Sequence, residues 1–226
     1  MKNIGLSIVI VLILLVSACS PKEQSWKVYS PDSTICVELY LCKYGNLSYN
    51  AMYKNDTMIN WSAMGLVRND ADFSTKLSFI TADSLIHADG SYTLTSGKRM
   101  QCSFHADKQI FHFKSDNGKP MDVEIFVAND GFAYRYSFPE NDTAAYTIAR
   151  EISSFSVPAG KAWMAPYDKA TQWSPAYETN YENGIATGTK SSYKEGWGFP
   201  MLFETKEKWM LISESNTPEN YFAAHV

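Results

Sequence analysis

"DVEIFVANDGFAYRYSF", residues 122–138, is the stretch that decides the expected fold. In its first half Val123, Ile125 and Val127 alternate with Asp122, Glu124 and Phe126, and in its second half aromatic residues fill every second position from Phe132 to Phe138. A period of two is typical of a strand with one buried face. The intervening Asn-Asp-Gly at 129–131 is a strong hairpin signal. The stretch therefore predicts two antiparallel strands joined by a tight turn.

The same pattern recurs along the chain. Residues 35–42 alternate in the same way, and two further hairpins are predicted, one over 100–113 turning near Ala106–Lys108 and one over 199–215 turning at Glu204–Lys208. Beyond the N-terminal segment, no apolar stripe has helical spacing. Many short strands with closely spaced turns predict an all-β fold, a large antiparallel sandwich or a barrel.

The first residues read as an export signal. A basic start, Met1–Asn3, precedes an apolar run from Ile4 to Val16 that is shorter than the roughly 20 residues needed to span a bilayer. Cys19 follows Val16-Ser17-Ala18, which resembles the bacterial lipobox. The resemblance implies cleavage before Cys19 and lipid attachment to it, and two or more acyl chains would anchor the protein firmly. An ordinary cleaved signal with a chance cysteine is the alternative.

This interpretation divides the chain into three parts. They are a signal peptide (1–18), a lipidated tether (19–25) and a β-sandwich domain (26–226). The expected location is the cell envelope, with the protein tethered to the outer membrane or facing the periplasm.

Composition restricts the partners. The net charge is −4 and Lys and Arg are not clustered, so no nucleic-acid partner is expected, because that binding needs concentrated positive charge. Aromatic residues make up 14% of the chain, which fits either a β-rich core or a sugar-binding surface.

Three cysteines remain beside Cys19, an odd number for pairing within one molecule. Cys36, Cys42 and Cys102 are expected to be small buried apolar residues.

One segment gathers carboxylates and aromatic rings. In "SPAYETNYENG", residues 174–184, Glu178 and Glu182 lie beside Tyr177 and Tyr181, just after Trp173. These could be loop charges over packed rings, or a functional group of side chains. Calcium needs six to eight oxygen ligands, so one or two loop carboxylates could form only part of a calcium site. As a catalytic pair, the two glutamates could meet the required separation in many conformations, so their spacing does not discriminate.

Five blocks resemble the N-terminal domain of glycoside hydrolase family 97, the α-glucosidases and α-galactosidases of gut Bacteroidetes, including the starch-utilisation enzyme. They occur in the family's order and span most of the chain after the signal: "SPDSTICVEL" (30–39), "NDGFAYRYSFP" (129–139), "SPAYETNYENG" (174–184), "WGFPMLFE" (197–204) and "WMLISES" (209–215). The resemblance implies a large sandwich similar to galactose mutarotase, incomplete at its C-terminus. In the family this domain packs on a (β/α)8 barrel that carries the catalytic carboxylates, and no βαβα pattern is found here.

The resemblance also implies site residues. Glu178 matches best the glutamate that helps to hold a calcium ion shared with the barrel, and Glu182 is the second choice. Trp173, Tyr177 and Tyr181 are expected to contact an α-linked glycan, and no catalytic residue is assigned. The expected function is a non-catalytic, carbohydrate-binding domain that shapes the rim of an α-glycosidase active site. A free-standing glycan-binding lipoprotein without an enzyme partner is the alternative.

Overall fold

The computed structural model describes residues 23–167, 179–215 and 225–226. These residues form sixteen strands and no helix, which confirms the all-β prediction. Accordingly, the described part of the chain contains no helix that is long and apolar enough to cross a membrane. The strands are β1 (Gln24–Tyr29), β2 (Ile35–Leu41), β3 (Leu47–Tyr53), β4 (Asp56–Met64), β5 (Leu66–Arg68), β6 (Ala71–Asp72), β7 (Ser78–Ala82), β8 (Ile86–Thr93), β9 (Gln101–Lys114), β10 (Pro120–Ala128), β11 (Gly131–Ser137), β12 (Ile148–Glu151), β13 (Lys161–Pro166), β14 (Glu182–Ala186), β15 (Trp197–Thr205) and β16 (Lys208–Ile212).

The strands form four antiparallel sheets. Sheet A has the order β1-β2-β3-β4 and sheet B the order β12-β5-β6. Sheet C has the order β11-β10-β9-β7, with β8 also paired to β9. Sheet D has the order β14-β13-β15-β16. Every pairing is antiparallel, as the alternating sequence pattern requires when one face of each strand is buried.

Sheets A and C pack face to face and form the main core. The Trp26 ring of β1 lies 5.6 Å from Phe111 of β9, and the Tyr49 ring of β3 lies 5.3 Å from Tyr134 of β11. The same core cluster includes Met201 and other buried residues of sheet D. Since inward-facing side chains of two sheets interdigitate in this way, the architecture is the predicted sandwich.

Two predicted hairpins are confirmed. Strands β10 and β11 pair from Asp122↔Ser137 to Ala128↔Gly131, so the turn is Asn129–Asp130. In β15 and β16, Thr205 pairs with Lys208, and the two residues between them, Lys206 and Glu207, both have positive φ (49° and 60°). Positive φ at both central positions is the geometry of a two-residue turn that matches the twist of the flanking strands.

The predicted hairpin over 100–113 is wrong. Strand β9 runs straight through Ala106–Lys108, where it is paired on both sides, with β8 and with β10, instead of turning. Asp107 and Lys108 read as turn residues in the sequence, but both are paired across strands. Asp107 Oδ1 lies 2.5 Å from His87 Nδ1, and Lys108 Nζ lies 3.7 Å from Glu124 Oε2. Cross-strand partners of opposite charge let polar residues stay within a ladder.

The cysteine prediction is confirmed for one of three residues. Cys36 is buried in β2, whereas Cys42 and Cys102 are partly exposed, and all three thiols are free.

His112 lies between two carboxylates and is expected to make stability depend on pH. Its Nδ1 lies 2.7 Å from Asp122 Oδ1 and its Nε2 lies 3.1 Å from Asp83 Oδ1. Partial burial disfavours the imidazolium, but the two carboxylates outweigh that effect and raise the pKa of His112 above 6.5. The stabilising contribution is therefore fully present below the unfolded pKa and is lost as pH rises through the folded pKa.

We expect urea unfolding of the unmodified protein to show this contribution as a stability difference between pH 5.5 and pH 8.5. In His112→Gln that part of the difference should disappear, because no imidazolium forms. Asp122→Asn should reduce the difference by weakening the folded-state pKa shift. An unchanged difference in His112→Gln would contradict the assignment.

Candidate functional site

The candidate site lies at one end of sheet D, here called the Tyr167 end. Strand β13 finishes there at Pro166, which pairs with Trp197 at the start of β15. Strand β14 begins nearby, with Glu182 opposite Met164. Because adjacent strands are antiparallel, the end of β13 lies beside the beginnings of both neighbours. Tyr167 and Thr179, the described residues on either side of the predicted site segment, both lie at this end.

Thr179 is bonded to the residue that precedes Tyr167. Thr179 Oγ1 donates a hydrogen bond of 2.6 Å to the carbonyl oxygen of Pro166. Tyr167 is fixed as well, since its amide donates to Gly196 O at 2.8 Å. Hydrogen bonds therefore hold both Tyr167 and Thr179 against the end of sheet D.

A second layer of contacts supports Tyr167. Its ring stacks on the His225 ring with centroids 4.4 Å apart and planes 13° apart. Val226 exchanges two backbone hydrogen bonds with Trp197, of 2.6 and 2.9 Å. Gly196 has φ +92°, and a Cβ there would lie 2.1 Å from Val226 O, so glycine is required for this close approach.

Only part of the predicted site lies within the described residues. Trp173, Tyr177 and Glu178 fall in 168–178, and Cys19 falls in 1–22, so these four lie outside them. Glu182 and Tyr181 are described.

Tyr181 lies at the border between the Tyr167 end and the outer surface of sheet D. Its hydroxyl donates to Pro200 O at 3.1 Å, and its ring is exposed. This bond fixes the ring while leaving it accessible, which is the arrangement an aromatic contact for a ligand requires.

Glu182 is the first residue of β14, not a loop residue as the sequence suggested. Its Oε1 accepts a 2.8 Å hydrogen bond from Ser192 Oγ. Since a carboxylate oxygen accepts more than one bond, Glu182 keeps acceptor capacity for another partner. Among the described residues, no three His, Cys, Asp or Glu side chains are close enough together to hold a metal ion.

The other tryptophans of sheet D have separate roles. Trp197 is buried, and its Nε1 donates to Thr189 O at 3.1 Å, so it is a core residue. Trp163 is half-buried on the opposite face, where its ring lies 4.9 Å from that of Trp209. The sequence did not single out Trp209 or His225. The residues from Trp209 to Ile212 are all apolar, so alternation could not indicate Trp209, and His225 carries no local signal.

Proteins similar to this chain are glycosidases. A probable retaining alpha-galactosidase from Streptomyces bingchenggensis is 26% identical over 230 residues, a match covering 98% of this chain and 34% of that protein. The crystal structure of a beta-arabinopyranosidase superposes with a TM-score of 0.79 at 26% identity, covering 85% of this chain and 32% of that one. A glycoside hydrolase family 97 enzyme from Pseudoalteromonas sp. strain K8, solved in complex with acarbose, has a TM-score of 0.61 at 20% identity, covering 80% and 27%.

These similarities define a class: the fold is that of a sandwich domain found in glycosidases. The family description "Glycosyl-hydrolase 97 N-terminal" matches residues 28–226, which is most of the chain. The chain therefore belongs to the glycosyl-hydrolase 97 N-terminal family, as the sequence blocks predicted. It spans about a third of the length of the relatives it matches.

Proposed function

We propose that this chain is the non-catalytic N-terminal domain of an α-glycosidase of the α-glucosidase or α-galactosidase type. It forms one wall of the active site, contacts an α-linked glycan and contributes a ligand to a calcium ion shared with a (β/α)8 catalytic domain. The observation that carries the proposal is the family match over 28–226, supported by the positions of Tyr167 and Thr179, the described residues on either side of the candidate segment, at one end of sheet D.

The wall is supported by the fixed ends of the segment. Thr179 and Tyr167, the described residues on either side of the segment, are both hydrogen-bonded to the end of the sheet. Sites built on strands are held more precisely than sites on free loops. Tyr181 adds an exposed ring at the same border, and with Trp173 and Tyr177 it would supply apolar faces for sugar rings.

The donor chemistry fits part of a calcium site. Glu182 offers a hard oxygen ligand of the type that calcium takes, and Glu178 would offer a second. The described residues provide no complete set of ligands. In the proposal, the residues of this chain hold the ion from one side, and a second domain completes its coordination. When bound, the ion would supply positive charge near the glycan.

The chemical step is assigned to the second domain. Glycoside hydrolysis needs two carboxyl groups whose environments separate their pKa values. On the wall, Glu182 is already hydrogen-bonded to Ser192, and its role in the proposal is to hold the ion. The location is proposed to be the cell envelope, outer membrane or periplasm, with attachment through a lipid on Cys19.

Calcium titration tests the shared site. We expect isothermal titration to give a dissociation constant for the isolated chain no tighter than about 10⁻³ M, the weak end of protein calcium sites, because half of the ligands are lacking. Glu178→Gln and Glu182→Gln should remove any residual heat, and the variant with the larger effect identifies the ligand.

Two results would contradict the proposal. Micromolar calcium binding by the isolated chain would mean that its own residues form a complete site. If hydrolysis of p-nitrophenyl α-glucoside or α-galactoside copurified with the chain, the chain would carry catalytic activity and the proposal of a non-catalytic domain would be wrong. Ser191→Ala is a suitable control near Glu182, because the Ser191 hydroxyl accepts a 3.2 Å hydrogen bond from Tyr193 N, whereas the hydroxyl bonded to Glu182 is that of Ser192.

A further inference from the structure

The outer face of sheet D carries two adjacent indoles that are tilted against each other. The rings of Trp163 and Trp209 have centroids 4.9 Å apart and planes at 41°. Two leucines extend this surface across β15 and β16, Leu202 and Leu211, which are opposite each other. We call these four residues the indole platform.

The register places all four on one face. Trp163 of β13 is opposite Leu202 of β15, which in turn is opposite Leu211 of β16. Directly opposed residues of antiparallel strands share a face. The intervening residues Ala162 and Phe203 point inward to the core. The platform is therefore a continuous surface over three strands.

The platform exposes more apolar surface than its position in the sheet requires. Trp209 is 58% exposed and Leu211 is 63% exposed. Scattered exposed apolar residues are ordinary, but a contiguous group that includes a paired tryptophan is typical of an interaction site. Neither indole N–H has a hydrogen-bond partner among the described residues, so both can donate to a ligand.

Polar groups border the platform on one side. Lys161 and Glu204 are opposite each other, and Glu204 is also opposite Trp209. Within the described part of the chain, neither side chain makes an ion pair or a side-chain hydrogen bond. A donor and an acceptor are thus available beside the rings.

We propose that the indole platform binds a neutral α-linked oligosaccharide, outside the active-site wall and continuous with it. This inference rests on the proposed function, since Tyr181 of the wall is bonded to Pro200 of β15, the strand that crosses the platform. A glycan chain that leaves the wall past Tyr181 would reach Leu202 and the two indoles next.

The chemistry of the platform fits a glycan. Sugar rings present C–H faces to aromatic planes, and their hydroxyls both donate and accept hydrogen bonds. A site that combines apolar walls with few polar groups matches that pattern. Lys161 can donate a hydrogen bond to a sugar hydroxyl and Glu204 can accept one. Both side chains lie beside the indole rings. A charged ligand would meet one favourable and one unfavourable charge there, so a neutral ligand is favoured.

Gel retardation tests the platform with the complete chain. We expect native gels containing amylopectin or guar galactomannan, which carry α-linked glucose and galactose, to retard the protein, whereas β-linked hydroxyethylcellulose should not. Trp209→Ala should weaken binding about tenfold, because one of the two indole rings that would contact the sugar is lost. Trp209→Phe should weaken it less, since a smaller aromatic face remains.

Trp61→Ala is the matched control. Trp61 is also exposed and lies 5.6 Å from the Tyr40 ring, but on sheet A, so this variant should bind like the unmodified protein. Chelating calcium should not change binding to the platform. This separates the inference from the calcium part of the proposed function.

Four outcomes would overturn the inference. They are an absence of retardation by either α-linked polymer, retardation only by the β-linked one, equal binding by Trp209→Ala, and a change of oligomeric state in Trp209→Ala measured by light scattering. The last would identify the platform as a contact between protein chains. Binding that is lost in Tyr181→Ala but kept in Trp209→Ala would place the glycan on the wall, which would support the proposed function without the platform.

Discussion

Replacing Arg68 with alanine should lower the free energy of unfolding by about 3–5 kcal/mol, the range for breaking a buried ion pair by removing one partner. The Arg68 side chain is 1% exposed at the end of β5. Its Nε and Nη2 donate to the two oxygens of Asp70, at 2.6 and 3.0 Å, and its Nη1 donates to Glu140 Oε2 at 2.8 Å. Nη2 also bonds Glu140 Oε1.

The expected loss of unfolding free energy is large because the two carboxylates would remain without their guanidinium partner. Without Arg68, the nearest cation to Asp70 and Glu140 among the described residues would be Lys119, whose Nζ lies 3.5 and 3.6 Å from them. The guanidinium also lies 3.9 Å from the centroid of the Tyr146 ring, so packing and cation–π contact are lost as well. Urea unfolding monitored by circular dichroism measures the change.

Arg135→Ala is the control for Arg68→Ala. Arg135 pairs with Glu124 at 3.0 Å, but its side chain is 68% exposed. Exposed pairs contribute about 0–1 kcal/mol, so this variant should unfold nearly like the unmodified protein. Equal effects of the two substitutions would show that the Arg68 network does not stabilise the fold.

Acid unfolding gives an independent measure of the same network. Hydrogen bonds from the Arg68 guanidinium hold the pKa of Glu140 and of Asp70 below their usual values. A carboxyl with a lowered folded pKa stabilises the fold above its unfolded pKa, and that contribution is lost as pH falls through the folded pKa. Stability should therefore fall less steeply below about pH 4.5 in Arg68→Ala than in the unmodified protein.

Sequence patterns correctly predicted those hairpins whose turn residues and alternation lie close together in the chain. The hairpin over 122–138 could be predicted because its turn residues and its alternation lie within one short stretch. The same holds for the turn at Lys206–Glu207 between β15 and β16. The 100–113 hairpin was predicted wrongly because polar residues at 107–108 resemble a turn, while their partners His87 and Glu124 are distant in sequence.

Long-range partnerships were not predictable from one sequence. Arg68 meets Asp70 two residues away but Glu140 seventy-two residues away, and no local pattern connects those positions. For β16, every residue from Trp209 to Ile212 is apolar, so alternation could not indicate which face is exposed. The structure assigns Met210 and Ile212 to the core side, and Trp209 to the surface.

The candidate site was predicted by resemblance more than by chemistry. The position of Glu182 beside Ser192, and of Tyr181 beside Pro200, required the sheet pairing of β13, β14 and β15. The sequence could only place both residues in one segment. What it did predict correctly was the family, because the ordered blocks extend over most of the chain.

Replacing Phe113 with alanine should also cost about 3–5 kcal/mol, the range for truncating a buried phenylalanine. Phe113 of β9 is fully buried where sheets A and C meet. Its ring lies 6.1 Å from that of Trp26 in sheet A and 5.8 Å from that of Phe79 in sheet C. Removing it leaves a cavity lined by rigid rings that cannot collapse easily, so the loss should lie toward the upper end of the range.

Phe104→Ala separates this packing effect from a general effect on β9. Phe104 is on the same strand and its ring lies 5.8 Å from that of Phe126, but it is partly exposed on the portion paired with β8. It should cost about 1 kcal/mol or less, because little area is returned to water.

A Phe113→Ala and Trp26→Ala double mutant should be less destabilised than the sum of the single mutants, since the two rings share one contact. Strict additivity would mean that the rings do not pack together, and that sheets A and C are joined through other residues.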